Sequence, residues 1–236
     1  MKIAHMKAVA VLVLFAITLP MYGQEENGDK KLNMDIGTDL VSTFVWRGMY
    51  QAGASIQPTL SLSAFGFTLG AWGSTDLPIR YKEIDFYLSY EIIGFSATLS
   101  DYWWNGEGAS YFKEPGSHHL EASLSYSFSE KFPLTLGVNT LISGSDDKDD
   151  NDKRFYSTYI SASFPFSVKS VACELGLGFT PRAGMYQDGN KCNFVDFKAR
   201  ATKNLQLSCS FTLPVFAEII FSPARDNAFF VLGLQF

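Results

Sequence analysis

Positive charge is scarce in this 236-residue chain: 19 Lys and Arg stand against 24 Asp and Glu, for a net charge of −5. A nucleic-acid partner needs a basic face to neutralise phosphates, so that class is excluded. Cysteine is scarcer still. Three residues cannot make a closed disulfide framework, because one is always left over. Charged residues of both signs reach only 18%, too few for a disordered chain. Long apolar runs are missing beyond Ala8 to Leu19, and that run is shorter than the ~20 residues a membrane-spanning helix requires. Helical spans are thereby excluded, and the remaining apolar residues must serve another purpose.

The apolar run has its own explanation. Lys2 and Lys7 precede it, and Pro20-Met21-Tyr22-Gly23-Gln24 follows. A positive start, a short apolar middle and a small residue at the end make a secretory signal peptide. Residues 1–23 are expected to be removed, taking two lysines and leaving a net charge of −7. Residues 24–33 read as an N-terminal periplasmic tail.

What the chain has in abundance is aromatic residues, 15% of the total, and a two-residue rhythm from Met34 onward. In the stretch from Leu120 to Phe128, one parity holds Leu120, Ala122, Leu124, Tyr126 and Phe128, and the other Glu121, Ser123, Ser125 and Ser127. Successive side chains of a strand point to opposite faces, so the segment has one oily and one polar face. About twelve such segments follow, at 34–47, 56–65, 67–74, 83–92, 95–104, 118–128, 133–143, 155–165, 168–179, 193–202, 205–216 and 227–236. Each has roughly the ten residues a transmembrane strand needs.

A soluble sandwich would alternate too, and three features favour the membrane. Short connections (Phe65 to Phe67, Ile93-Gly94, Ser129 to Lys131, Pro165 to Ser167, Lys203-Asn204) take turns with long ones, which is the signature of periplasmic turns and extracellular loops on an up-and-down barrel. Trp46, Trp72, Trp103 and Trp104 fall at the outer strand ends, while Phe65, Phe67, Phe95, Phe128, Phe132, Phe164 and Phe166 fall near the short turns. Two such bands are expected at the two membrane interfaces as aromatic girdles, although Trp72 has the polar parity of its strand. Finally, Phe230, Leu232, Leu234 and Phe236 form one face of the last strand, as in the sorting signal of outer-membrane barrels. The expected fold is all-β: a transmembrane antiparallel up-and-down barrel over 34–236, closed because an unpaired backbone group is costly in lipid. Outer-membrane lipids, lipopolysaccharide and the barrel assembly machinery are its expected partners.

Val41 to Gln51 contains Ser42, Phe44, Arg47, Gly48 and Gln51 in an order that resembles the opening signature of the TorF-type porin family. Gly70-Ala71-Trp72-Gly73-Ser74 and Glu83-Ile84-Asp85-Phe86-Tyr87 resemble its next two blocks, so the similarity covers roughly residues 35–128. The resemblance implies a pore of unassigned substrate.

Inward parity predicts that Asp35, Asp39, Arg47, Asp85, Glu91, Glu121, Glu174, Asp196, Lys198 and Arg200 line the lumen. About eight strands give a filled barrel and 16–18 an open channel. Twelve predicts a narrow, polar passage for ions or small solutes. Arg47 reads as half of a structural ion pair ahead of a selectivity residue, since a mixed-sign interior tends to pair. The alternative functions are a non-conducting barrel whose loops bind a partner, and a lipid-modifying enzyme built on His118 or His119. The enzyme is disfavoured because no spacing assembles a Ser–His site. His118 and His119 face opposite sides of a strand and cannot share a metal. Asp146 to Asp152 is acidic but lacks the glycine and closing glutamate of a calcium loop, and is expected to be a solvated loop. Cys173 and Cys209 are expected to stay free, and no cofactor is expected.

Overall fold

A computed structural model describes residues 32–77, 79–105, 118–187 and 192–236. The expected signal peptide (1–23) and residues 24–31 of the expected tail lie outside these residues. Along the chain run β1 (Asn33–Val41), β2 (Phe44–Trp46), β3 (Met49–Ala52), β4 (Ser55–Ala64), β5 (Phe67–Asp76), β6 (Lys82–Ile92) and β7 (Phe95–Asn105). They are followed by β8 (His118–Ser127), β9 (Thr135–Ser143), β10 (Thr158–Val168), β11 (Val171–Thr180), β12 (Asn193–Ser208), β13 (Phe211–Ser222) and β14 (Asn227–Gln235). Twelve of these strands close into one antiparallel up-and-down barrel, β4 to β14 in sequence order, with β1 joining β14 to β4. β2 and β3 pair only with each other.

The alternation decides which way each strand faces. Met34 and Ile36 on β1, Ile84 and Phe86 on β6, Leu99 on β7, Leu124 on β8, Ile219 and Phe221 on β13, and Phe230 and Leu232 on β14 are all exposed on the outside. The opposite parity points into the lumen; it is polar on most strands and apolar on β13 and β14, where Phe216, Ile220 and Val231 face inward. At the short-turn end, rings of neighbouring strands touch along the outer face: Phe67 with Tyr90, Phe95 with Tyr126, Tyr126 with Phe128, Phe128 with Phe132, and Phe132 with Phe164.

Turn chemistry accounts for the short connections. Phe65-Gly66 and Ile93-Gly94 have positive φ at both residues, 56° and 81°, then 49° and 79°. That pair of signs marks a type I′ turn, whose twist matches the flanking strands. Two other turns fall later than the sequence predicts. Pro165 stays within β10, opposite Glu174, and the chain reverses at Lys169-Ser170, because outward Phe166 and Val168 continue the pairing. β12 runs on past Lys203-Asn204, with Leu205 opposite Leu213, and reverses at Cys209-Ser210. Cys209 is therefore a turn residue and not a strand residue; it, Cys173 and Cys192 are free thiols.

The largest departure is at the start. The segment 34–47 is not one strand: β1 ends at Val41, and the chain peels inward at Ser42-Thr43. Ser42 covers the break on both sides, its amide donating to Leu232 O (2.8 Å) and its hydroxyl accepting from the Leu232 amide (2.9 Å). β1 thus leaves the sheet at its end without leaving that β14 amide unpaired.

Candidate functional site

After the break, β2 and β3 form a hairpin that lies inside the barrel at the long-loop end. Its turn is Arg47-Gly48, with φ of 49° and 70°, between the paired Trp46 and Met49. Phe44 and Val45 pack on an inward apolar patch of the wall formed by Val41, Phe216, Ile220 and Val231. Phe44 also meets the rings of Trp72 (5.4 Å) and Tyr81 (5.9 Å). Trp46 and Met49 pack on Tyr159, Tyr186 and Val195. The tip fits closely: a Cβ at Gly48 would stand 2.7 Å from Ser222 Oγ and 3.0 Å from Val195 O.

Arg47 is the centre of the site. Its two terminal nitrogens donate to the two carboxylate oxygens of Glu121, at 2.5 and 2.7 Å, and one also donates to the Tyr186 hydroxyl. Its Cζ lies 4.5 Å from the ring centre of Trp46 and 4.6 Å from that of Tyr159. Glu121 is wholly buried and also accepts from the Tyr102 hydroxyl (2.9 Å). Forked donation to a carboxylate is the strongest hydrogen-bonded form of an ion pair. The expected structural ion pair is therefore present. Its arginine does not come from a wall strand, however, as the sequence reading has it, but from a hairpin that crosses the lumen.

The other predicted lumen residues keep the inward parity. Asp196 is buried, accepts from the Tyr159 hydroxyl at 2.8 Å, and lies 3.6 Å from the Lys198 ammonium. Arg200 pairs with Glu218 (3.1 Å) and covers the Phe216 ring (4.1 Å). Asp39 accepts from Gln235. Asp85 is buried in the wall beside Glu83 on the same parity. Asp35, Glu91 and Glu174 stand nearer the short-turn end, and none joins the Arg47 cluster.

The tryptophans are placed differently from the expected girdle. Trp46 and Trp104 meet each other inside the barrel (5.1 Å), and Trp104 donates to Glu83 (2.5 Å). Trp72 packs on the hairpin. Trp103 alone keeps the outward parity, and it is buried. Side-chain parity sends Trp72 and Trp104 into the lumen against the hairpin, whereas Trp46 is inside because the hairpin that carries it turns inward.

Two loops close the same end. Asp147 is buried and accepts from the amide and hydroxyl of Ser157, whose hydroxyl also accepts from the Met185 amide (2.7 Å). This ties the acidic loop to the segment that carries Tyr186. His119 faces inward, stacks on Trp104 (4.2 Å) and pairs with Asp146, while His118 pairs with Asp101 (2.9 Å). The hydrogen bond from His119 holds the Asp146 carboxyl below its ordinary range. Burial pushes the Tyr186 phenol up to about 12, so it stays a neutral acceptor for Arg47. Among the described residues, no group of three or more His, Cys, Asp or Glu could hold a metal ion.

Below the hairpin the lumen opens into a chamber of about 300 Å³. Arg47, Glu121 and Tyr102 roof it, and serines, threonines and Asn139 from β7 to β10 line its wall. Tyr102 and Tyr159 have the inward parity of their strands, and nothing in the alternation sets them apart from other inward polar residues. Tyr186 had no signal, because its loop has no period to read. Phe44 and Val45 were hidden within a segment that alternates like a strand.

These features define a closed twelve-stranded up-and-down barrel with an internal hairpin, an architecture that fits an outer-membrane protein. No known family model matches the chain, and no curated protein sequence matches it.

Proposed function

We propose that this chain is an outer-membrane barrel that acts as a narrow pore for ions or small solutes, with its β2–β3 hairpin as a stopper in the lumen. The observation that carries this reading is an exposed apolar outer face around the closed sheet, with a mostly polar inner face broken by the apolar patch that seats the hairpin. A soluble protein would not leave so continuous an apolar surface in water, whereas a closed barrel with an oily outer band suits lipid. The resemblance to TorF-type porins over 35–128 supports the same reading, and so does the signal peptide read from residues 1–23. On this view the ring contacts at the short-turn end form the periplasmic girdle, outer-membrane lipids and lipopolysaccharide surround the wall, and the strand ending in Phe236 is what the assembly machinery reads.

The test is conductance of the refolded barrel in planar bilayers, with wild type beside a variant whose residues 44–52 are replaced by a short Gly-Ser link. The stopper predicts small or intermittent current from wild type and a larger, steady current from the variant. Silence from both refutes the pore. That result would favour the second reading, a non-conducting barrel that presents its loops to a partner. The hydrogen-bonded loop platform around Asp147, Ser157 and Met185 supports that alternative.

A further inference from the structure

We propose that the socket around Glu121 is a guanidinium-binding site in its own right, filled in this structure by the chain's own Arg47. A small solute bearing a guanidinium group would take Arg47's place when the hairpin withdraws. The inference deepens the pore reading by naming a solute class, and it rests on that reading only for the route of entry.

Apart from the Trp46 ring, which moves with the hairpin, the parts of the socket belong to the barrel and its loops. Glu121 stands on β8, Tyr102 on β7 and Tyr159 on β10, and Tyr186 comes from the loop before β12. All four remain if Arg47 leaves. What they recognise is set by shape. The two oxygens of Glu121 take two nitrogens side by side, at 2.5 and 2.7 Å, which a planar fork satisfies and a compact ammonium does not. The Tyr159 and Tyr186 rings lie 4.6 and 5.6 Å from the guanidinium carbon, close enough for cation–π attraction to a flat cation. Once emptied, the socket would leave Glu121 as a buried carboxylate without compensation, which favours recruiting another cation. Access exists from below, because the chamber of about 300 Å³ reaches Arg47, Glu121 and Tyr102 directly. Arg47 then acts as a tethered copy of the ligand.

The test uses the Arg47→Ala barrel in detergent, melted in methylguanidinium chloride or methylammonium chloride at equal ionic strength. Methylguanidinium should raise the melting temperature saturably and bind at least about tenfold more tightly than methylammonium. Tenfold is 1.4 kcal/mol, close to what one additional charge-assisted hydrogen bond supplies. Adding Glu121→Gln should abolish the effect. An equal response to both salts, or a response that survives Glu121→Gln, overturns the proposal. Should Arg47→Ala fail to assemble unaided, the yield of folded barrel on refolding with each salt is read instead. Rescue by methylguanidinium alone supports the site; no rescue, or equal rescue, refutes it. Because no current is measured, a barrel that never conducts can still pass this test, and a conducting one can fail it.

Discussion

Glu121→Gln removes one charge from the pair that anchors the hairpin and leaves nearly every atom in place. The partners are both buried, with side-chain exposures of 11% for Arg47 and 1% for Glu121. Removing one member of such a pair costs roughly 3–5 kcal/mol, since it leaves the other buried without compensation. The barrel ladders do not depend on this pair. The lost free energy should therefore appear as release of the hairpin, which lets Arg47 regain water, and not as melting of the sheet. At 1.4 kcal/mol per decade, hairpin opening should rise by roughly two to three and a half orders of magnitude. The rise is limited by what Phe44, Val45, Trp46 and Met49 still hold. Amide exchange across residues 44–52 reads this directly, with the amides of β6 to β9 as an internal reference. Arg47→Met alone should open the hairpin comparably, and the double variant should recover most of the loss, because the pair's worth is a coupling and not a sum. Hairpin amides that keep their wild-type exchange rate in Glu121→Gln would refute the anchoring role, as would additivity in the cycle.

Three further outcomes are expected. Gly48→Ala should loosen the tip by at least ~1–2 kcal/mol, the penalty of a left-handed conformation for a residue with a Cβ, because the new atom also meets the Val195 carbonyl at 3.0 Å; tryptic cleavage after Arg47 should speed up, and unchanged resistance counts against the tip geometry. If the outer face meets lipid, Leu124→Arg should impair assembly by ~1–2 kcal/mol, below the ~2–4 of a midplane cation, since Leu124 is 67% exposed on the outer face and lies one outward position from the Tyr126 ring; its inward neighbour Ser125 should tolerate Arg far better, and equal damage in a urea refolding assay argues against the assigned faces. Asp146, its carboxyl held low by the His119 hydrogen bond, is a lowered-pKa acid, so its contribution is complete above the ordinary carboxylate range of ~3.9 and is lost as pH falls through the folded value; Asp146→Asn should therefore speed exchange in the 144–157 loop at neutral pH, with the difference from wild type disappearing in strong acid.

Most of the barrel was legible because period-two alternation is written residue by residue. The strand expected at 83–92 is β6 (Lys82–Ile92), and the one expected at 118–128 is β8 (His118–Ser127). What was not legible has a common cause, which is that the stopper obeys the same local rules as the wall. Phe44-Val45-Trp46 continues the alternation of β1, and no Gly or Pro marks the break at Ser42-Thr43. The dipeptide Arg47-Gly48 was the one available sign, since a residue-glycine pair between alternating segments suits a type I′ turn. Two tryptophans, Trp72 and Trp104, lie inside because of their face along the strand, and Trp46 because its segment leaves the wall. Trp72 carried its inward parity in plain view. The partnership of Arg47 with Glu121 joins residues 74 apart in sequence, and no local pattern encodes a contact made across a lumen.

A twelve-stranded barrel lies between two regimes: about eight strands are filled by their own side chains, and 16–18 enclose water. Here the long-loop half of the lumen is filled by backbone and side chains of a hairpin, and the other half is left as a polar chamber. Filling with a hairpin differs physically from filling with wall side chains. A wall side chain cannot leave without its strand, whereas among the described residues the hairpin is held by the Arg47 ion pair and its hydrogen bond to Tyr186, ring contacts and two small apolar patches, all of which can be given up while the twelve ladders stay closed. Local stability is uneven in any fold, and the parts that move come from its weaker end. In this barrel that weaker element is also the one that fills the long-loop half of the lumen. On the proposed pore reading, the placement of Glu121 at the roof of the chamber would present a cation arriving from below with the same carboxylate that holds the hairpin.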